Sequence, residues 1–286
     1  MRLLSPRELA DALGVSESSL KRWVDAGKIQ AARTEGGHRR ITLSEAVRFV
    51  RETGAPVARP EILDMGDITS VRGASRSEEA FRHYLIEGDA AAARGWLLER
   101  YLAGEAVASL CDGPVKAAMY YIGELWQHDA EGVFIEHRAT DVALQALFAL
   151  RAVIDPPANA PLAIGCGPQG DPYIIPSMMA ALVLSSVGVR TMNLGADTPV
   201  SALTLAVARH QPALVWISAS TPLVAPDPLQ EFVANSRYVI AVGGRFGDVL
   251  AAMDPRAQRF ESMTELAAYG EALTTQSSGF PKPADV

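Results

Sequence analysis

The sequence predicts a multidomain α and α/β protein with three folded parts: a winged helix-turn-helix, a four-helix bundle, and a doubly wound parallel sheet of the Rossmann-like kind. Two capped helices and a Gly-Gly hairpin lie at the N-terminus. A block rich in Ala, Leu and Glu follows. Beyond it, apolar runs alternate with helical patterns, as buried parallel strands do. We expect domains at 1–54, 75–155 and 158–276, with a linker at 55–74 and a tail at 277–286.

Length and composition are those of a globular protein with several cores. A chain of 286 residues is too long for one ordinary core. Its 49% hydrophobic and 21% charged residues fit neither a disordered nor a membrane protein. Polar residues at Ser5–Glu8 leave no room for a signal peptide, and no apolar run reaches the roughly 18 residues of a membrane span. We therefore expect a cytoplasmic protein without a membrane partner.

The charge is distributed unevenly along the chain. Residues 1–53 carry ten Lys or Arg against seven Asp or Glu, so this segment is net positive although the whole chain is −7. Any contact with nucleic acid is therefore expected at the N-terminus.

The N-terminal segment begins with two capped helices. Ser5–Glu8 is a capping box with Pro at the first helical position, and the helix it opens should end at Gly14. Ser16 can cap a second helix that runs to about Ala26. These two helices, joined by a short turn, predict a helix-turn-helix.

A hairpin and a third helix complete this domain. Lys28–Thr34 and Arg39–Thr42 are expected to be short strands around the glycines of 35–38, which permit a tight turn and make this hairpin a wing. Thr42–Glu45 forms a second capping box, opening a helix that ends near Gly54.

This arrangement predicts binding to a double-stranded DNA operator. A helix-turn-helix places its second helix in the major groove, so the side chains expected to read bases are Ser18, Ser19, Lys21 and Arg22. On the wing, the residues expected to contact phosphate or the minor groove are Lys28, Arg33, His38, Arg39 and Arg40. The alternative is that these residues are only solvated charges around a small helical domain.

The recognition helix and wing resemble those of MerR-type regulators over about 50 residues. The resemblance lies in Leu20–Val24, Gly27 and Thr34–Ile41. It implies a homo-oligomer, because one helix-turn-helix reads only a few base pairs and such relatives bind DNA as assemblies.

The C-terminal part should hold a parallel sheet. The expected strands are Leu162–Cys166, Val189–Leu194, Leu214–Ser218 and Tyr238–Val242. In such a sheet, ligands bind at the carboxyl ends of the strands.

A pattern in the predicted bundle resembles a known photoreceptor signature. Nine residues separate Trp126 from Glu136, which is followed directly by His137. This spacing and the domain order resemble the CarH/LitR family of adenosylcobalamin-dependent light-sensing repressors. The resemblance implies that the bundle caps the upper face of a corrin, with these three residues around the adenosyl group.

The α/β domain resembles the cobalamin-binding pattern in register. The first element of this pattern spans Asp171–Pro176. After it, 41 residues separate Pro176 from the second element, Ser218–Ser220. Gly243 and Gly244 fill the last element. The resemblance implies that Asp171, Tyr173, Ser218, Ser220, Gly243 and Gly244 bind the cofactor, with the nucleotide tail running past the strand ends.

Two departures concern the metal and the tail. Tyr173 stands where the family has the histidine that binds cobalt from below, and Pro176 replaces the glycine beside which the tail passes. A phenol with an ordinary pKa near 10 is a poor metal ligand compared with imidazole. Cobalamin bound through a lower histidine is therefore not expected.

Three interpretations of the sensor domain are consistent with the sequence. The domain can hold adenosylcobalamin without a lower histidine, bind haem or a bilin such as biliverdin, or act without ligand as an oligomerisation module. For haem, His137 and Tyr173 are axial candidates, which makes His137 the candidate metal ligand. For a bilin, Cys166 is a candidate thioether site.

The competing class is an enzyme subunit. The same modules occur in corrinoid methyl carriers and mutase subunits. We find no acid–base pair, nucleophile–histidine pair or phosphate loop in the sequence, so the expectation is a regulator and not an enzyme.

Overall fold

The computed structural model describes residues 2–34, 36–125, 130–224 and 226–277. These residues form two compact units. The first unit takes residues up to 106 together with 113–154, and the second takes 107–112 together with the chain from 155 onward. No helix within the described ranges has the length and apolar character needed to cross a membrane.

The first two helices begin and end where the sequence predicts. Helix α1 spans Pro6–Leu13, with Ser5 and Glu8 forming the reciprocal capping box and Gly14 in the left-handed conformation after it. Helix α2 spans Glu17–Asp25 and is capped by the Ser16 side chain. The predicted helix-turn-helix is confirmed.

A small antiparallel sheet completes the winged domain. Over the described residues its strands are β1 (Leu3–Leu4), β2 (Ala32–Arg33) and β3 (Arg39–Thr42), in the order β1-β3-β2. The wing hairpin is confirmed, but its first strand is shorter than predicted. The reason is local, because the Gln30 amide donates to the Glu45 carboxylate at 2.6 Å and not to a neighbouring strand.

Helix α3 spans Leu43–Thr53 and is capped at Thr42, as predicted. The Thr42 hydroxyl accepts the Glu45 amide at 3.2 Å. The reciprocal half of the predicted capping box is not made, since the Glu45 carboxylate instead accepts from Gln30 and from Arg48.

The segment 55–74, expected to be a linker, is folded. It contains two 3-10 turns at Pro60–Leu63 and Gly66–Val71. Leu63, Met65, Ile68 and Val71 are buried. Their spacing follows no single helical or strand period, so the apolar pattern does not reveal this packing. This packed segment attaches the winged domain to the helices that follow.

Helices fill the rest of the first unit. The helices along this part of the chain are α4 (Glu78–Glu87), α5 (Ala90–Leu102), α6 (Val107–Leu110), α7 (Lys116–Leu125) and α8 (Ala130–Ala152), with a π turn at Cys111–Val115. Of these helices, α6 belongs to the second unit. In the first unit α8 packs on α4, α5 and α7. The expected helical region is confirmed.

The packing of segment 55–74 can be tested at Gly95 on α5. A Cβ at this position would lie 2.2 Å from the Asp67 carbonyl oxygen, so there is no room for one. We expect Gly95→Ala to lower the free energy of unfolding by about 1–3 kcal/mol through overpacking. Denaturant unfolding of the full chain measures this change.

The matched control is Gly123 on α7, where a Cβ would meet nothing within 4 Å. Gly123→Ala should leave stability unchanged or raise it by up to about 1 kcal/mol. Equal effects at both glycines would contradict the close packing of 66–71 on α5.

The second unit is a doubly wound parallel sheet, as predicted. Its described strands are β4 (Leu162–Cys166), β5 (Arg190–Asn193), β6 (Leu214–Ser218), β7 (Ile240–Gly243) and β8 (Ala257–Arg259), in the order β5-β4-β6-β7-β8. The helices between and after them are α9 (Ile175–Ser186), α10 (Val200–His210), α11 (Pro226–Asn235), α12 (Gly247–Ala251) and α13 (Met263–Ser277). Strand β8 was not predicted, because its three residues include Gln258 and Arg259 and form no apolar run.

Candidate functional site

The predicted base-reading residues lie on one solvated side of α2. Ser18 and Arg22 are exposed, and an Arg22 guanidinium N–H donates to the Ser19 hydroxyl at 3.2 Å. Lys21 is exposed and paired with Glu17 at 2.8 Å. Leu20 is fully buried on the opposite side. The polar face of α2 is therefore free of protein packing, as a helix that enters a groove requires.

The wing presents its charges unevenly. Arg33 and His38 are exposed at the hairpin, and Lys28 is exposed before it. Arg39 is half-buried and paired with Asp25 of α2 at 2.6 Å. This ion pair ties the wing to the recognition helix, so Arg39 has a partner other than phosphate.

The ring of Trp23 joins α2 to α3, whereas the hydrogen bond described for Arg40 is local. Arg40 is half-buried and donates to the Arg39 carbonyl at 3.4 Å. The rings of Trp23 and Phe49 have centroids 5.1 Å apart, which fixes α2 on α3. The structure thus brings the predicted helix and wing residues together in one winged domain.

In the second unit, Asp171 joins two loops at the carboxyl edge of the sheet. Its carboxylate is buried and accepts the amides of Ser220, Thr221 and Tyr173. A buried carboxylate needs such donors, because an unpaired one would be costly. The role of Asp171 is therefore to hold the loop after β4 against the loop after β6.

Asp171→Asn should weaken this clamp. An amide side chain has a single oxygen to accept these N–H groups, and its own N–H₂ would face donors. We expect a loss of about 1–3 kcal/mol in the free energy of unfolding, measured by denaturant titration.

Asp197 provides the control within the same loops. It is exposed, accepts only the Gly170 amide at 2.7 Å among the hydrogen bonds described, and has a φ of 48° that asparagine tolerates. Asp197→Asn should change stability by less than about 0.5 kcal/mol. An Asp171→Asn variant as stable as this control would contradict the clamp.

The other pattern residues lie at the same edge. Ser218 ends β6 opposite Gly243 of β7 and is buried. Gly244 has a φ of 86°, and a Cβ there would lie 2.3 Å from the Ala219 oxygen, so only glycine fits. A Cβ at Gly243 would meet nothing within 4 Å. Open space beside the backbone is thus found at Gly243.

Apolar side chains are exposed around this edge. Tyr173 is 49% exposed and Ile174 is 45% exposed, on the loop before α9. Val224 is 66% exposed after β6 and approaches Gly170 closely. Exposed apolar groups at the carboxyl edge of a parallel sheet are typical of a ligand-binding surface.

Cys166 does not fit the suggested thioether site. It is 1% exposed and packs in the core with Val215 and Ile217. Burial raises the pKa of its thiol to about 12, and a hydrogen bond with Thr198 opposes this only in part. A thiol that stays protonated and buried is a poor nucleophile, so the bilin attachment proposed at Cys166 is wrong.

Two residues of the photoreceptor-like signature, Glu136 and His137, lie on α8 in the first unit. Trp126, with Gln127 and His128, lies outside the described residues. His137 on α8 is 77% exposed at its side chain, and its Nε2 is 3.6 Å from a Glu136 oxygen. The other Glu136 oxygen accepts the Thr140 hydroxyl at 3.1 Å. Within the described ranges, no cluster of three His, Cys, Asp or Glu side chains is arranged to hold a metal ion.

Sequence reasoning missed the side chains that fill the interior below the edge. Trp216 of β6 is buried against Gly165 of β4, and its indole N–H donates to Ser177 of α9. The sequence places Trp216 only within an apolar run. Its available signal was the presence of Gly165 in the preceding strand, which leaves room for a large partner.

Comparisons with known proteins match two successive parts of the chain, both of them mainly in the first unit. A family model described as a helix-turn-helix domain matches residues 3–53, and one described as a B12 binding domain matches residues 77–151. The second match therefore falls on the helical region of the first unit.

Two known proteins resemble the chain over most of its length. The HTH-type transcriptional repressor CarA of Myxococcus xanthus is 26% identical over 277 residues, which cover 92% of this chain and 94% of the relative. The monomethylamine corrinoid protein of Methanosarcina barkeri is 17% identical, with a TM-score of 0.54 over 67% of this chain and 95% of that chain. This second likeness shows the fold. The chain thus joins a helix-turn-helix DNA-binding domain to a B12-binding domain, and it is a distant homologue of a transcriptional repressor.

Proposed function

We propose that this protein is a transcription regulator whose DNA affinity or oligomeric state is set by a tetrapyrrole ligand, with cobalamin as the first candidate. The observation that carries the proposal is the similarity to a repressor over 92% of the chain, with DNA-binding and B12-binding matches in the same order along it. As a regulator of this kind, it would bind its operator as a homo-oligomer.

Contacts within the first unit support communication between DNA binding and the helical region. The Arg51 guanidinium of α3 stacks on the Tyr101 ring of α5 at 3.8 Å and donates to the carbonyls of Tyr101 and Glu105. The Arg59 amide donates to the Ala12 carbonyl of α1 at 3.0 Å. A conformational change in the helical region would therefore be transmitted to the winged domain through these packed side chains.

The residues at the sheet edge are suited to contact a corrin ring, but they do not include a good ligand for its cobalt. Tyr173, Ile174 and Val224 offer apolar surface to a ring, and Gly243 leaves its backbone open. The position expected to bind cobalt from below is a tyrosine, whose phenol is a weak ligand for this metal. We therefore propose ring binding without a protein ligand from the α/β domain.

Light sensing belongs to the same proposal. An adenosylcobalamin bound by such a regulator would make it sensitive to illumination, because light breaks the bond between cobalt and carbon in this cofactor. The test is titration of the purified full-length protein with adenosylcobalamin, in darkness and after illumination, followed by absorption spectra. Saturable binding with a light-dependent spectrum supports the proposal, and a lack of binding contradicts it.

Haem remains the second candidate ligand, because the His137 side chain is exposed and imidazole ligates haem iron. His137→Ala should then shift the main absorption band of the haem-bound protein, with His210→Ala at the end of α10 as the matched control. Biliverdin belongs in the same titration, although it would bind without a thioether to Cys166. Failure of all three ligands would favour the ligand-free oligomerisation module.

A corrinoid methyl carrier or mutase subunit is the remaining alternative. The likeness to a corrinoid protein concerns the fold, whereas the winged domain has no place in a methyl carrier. DNA binding by the full chain distinguishes the two classes.

A further inference from the structure

The interior below the carboxyl ends of β4 and β6 is occupied by one aromatic side chain. Trp216 is 1% exposed and lies directly across from Gly165 in the register of the two strands. A Cβ at Gly165 would lie 2.0 Å from the indole, so the ring rests on the bare backbone of β4. The indole belongs to the same buried apolar cluster as Ala180 and Ala181 of α9. The small residues and the large ring are complementary, and together they fill the layer between sheet and helix.

The polar atoms in this layer are satisfied by one another. The Trp216 indole N–H donates to the Ser177 hydroxyl at 3.0 Å, and that hydroxyl donates to the Asn193 side-chain oxygen at 2.9 Å. The Asn193 oxygen also accepts the Gly195 amide at 3.0 Å. Ser177 is fully buried. A polar group that entered here would have to displace a completed hydrogen-bond chain.

A nucleotide tail has no more favourable place on the opposite face of the sheet. Ile164, Val215 and Ile217 pack there against Leu203 and Val207 of α10 in an apolar cluster. A phosphate-bearing chain buried among these side chains would have no hydrogen-bond partners, which is costly.

From this packing we propose that the α/β domain binds its tetrapyrrole by the ring at the sheet edge, without taking a nucleotide tail into the sheet interior. The ligand class is therefore a tetrapyrrole without a buried tail, including a cobalamin whose dimethylbenzimidazole stays on its own cobalt. The inference rests on the proposed function and specifies how the ligand of that site is held.

The test compares two corrinoids that differ only in the tail. The full-length protein is titrated in darkness with adenosylcobalamin and with adenosylcobinamide, which lacks the nucleotide. If the nucleotide tail stays outside the protein, the dissociation constants of the two corrinoids should agree within about ten-fold, or 1.4 kcal/mol. Bound adenosylcobalamin should also keep the absorption spectrum of the form with dimethylbenzimidazole on cobalt.

The overturning results are distinct from failure of the proposed function. Adenosylcobalamin that binds more than about ten-fold tighter than adenosylcobinamide, or changes to the spectrum without dimethylbenzimidazole on cobalt, overturns the inference and leaves the cobalamin regulator standing. If neither corrinoid binds, the cobalamin part of the proposed function fails, and this inference fails with it.

Trp216→Phe gives a second measurement. This variant keeps a ring in the interior and removes the N–H donor to Ser177, so the unfolding midpoint should fall while both dissociation constants stay within about three-fold of the parent protein's. A ten-fold or greater change for adenosylcobalamin, with none for adenosylcobinamide, would place the nucleotide near Trp216 and overturn the inference. If the variant does not fold, the comparison in the parent protein still decides.

Discussion

Replacement of Arg22 with alanine is expected to lower the affinity for the preferred DNA sequence by about 5- to 150-fold, the 1–3 kcal/mol that one good base contact contributes. Arg22 is exposed on the polar face of α2, and its guanidinium is oriented by the Ser19 hydroxyl at 3.2 Å. The preferred sequence is first obtained by selection from a random duplex library. Dissociation constants for the selected and for a scrambled duplex then measure the change.

Arg33 provides a contrasting variant on the exposed wing. Arg33→Ala should weaken binding to both duplexes alike and reduce the slope of log affinity against log salt concentration by about 0.9, as for the loss of one phosphate contact. Arg237→Ala, in the α/β domain, should change neither. An Arg22→Ala variant that still prefers the selected sequence as strongly as the parent protein would refute base reading by α2.

Tyr173→His is expected to tighten binding of adenosylcobinamide, which has no dimethylbenzimidazole to occupy the lower side of its cobalt, by at least ten-fold and to change its absorption spectrum. The residue lies in a loop whose backbone is fixed by Asp171, and its side chain is 49% exposed at the sheet edge. Imidazole binds such a metal far better than a neutral phenol does. Titration followed by absorption spectroscopy gives both readouts.

Tyr173→Phe is the matched control for this substitution. It keeps the aromatic ring and removes the hydroxyl, so affinity should stay within about three-fold if the phenol is not a ligand, a change below about 1 kcal/mol. A large loss in Tyr173→Phe would instead identify the phenol as a direct ligand. A Tyr173→His variant that matches the parent protein in both affinity and spectrum would show that this position lies away from the metal.

The elements predicted well from the sequence were those determined by neighbouring residues. Ser5, Ser16 and Thr42 each cap the helix that follows, because a hydroxyl next to free backbone amides acts locally. Strands β4 and β6 were predicted at their full bounds, since a parallel strand buried on both faces is a continuous apolar run.

The errors arose where distant contacts decide the structure. The residues of 55–74 fold because they pack on α5, where Gly95 leaves room for the Asp67 carbonyl. Strand β1 has only two residues and exists through its pairing with β3. Neither contact leaves a periodic pattern in the sequence.

In the candidate site, too, the sequence predicted what the fold positions and not what distant packing decides. The positions at the strand ends follow from the fold, so Asp171, Ser218 and Gly244 lie at the sheet edge as expected. The burial of Cys166 and the filling of the interior by Trp216 depend on how the sheet packs on its helices, and the residue types do not reveal it. The binding roles of these residues stay predictions.

In the proposed function, a tetrapyrrole bound by this chain changes its affinity for DNA. The most direct measurement is the dissociation constant of the full-length protein for its selected duplex, with and without saturating adenosylcobalamin in darkness, at one salt concentration and protein concentration. We expect a change of about 5- to 150-fold, corresponding to a coupling free energy of 1–3 kcal/mol, with a reciprocal change in ligand affinity when DNA is present. Identical dissociation constants with the ligand demonstrably bound would rule out this coupling.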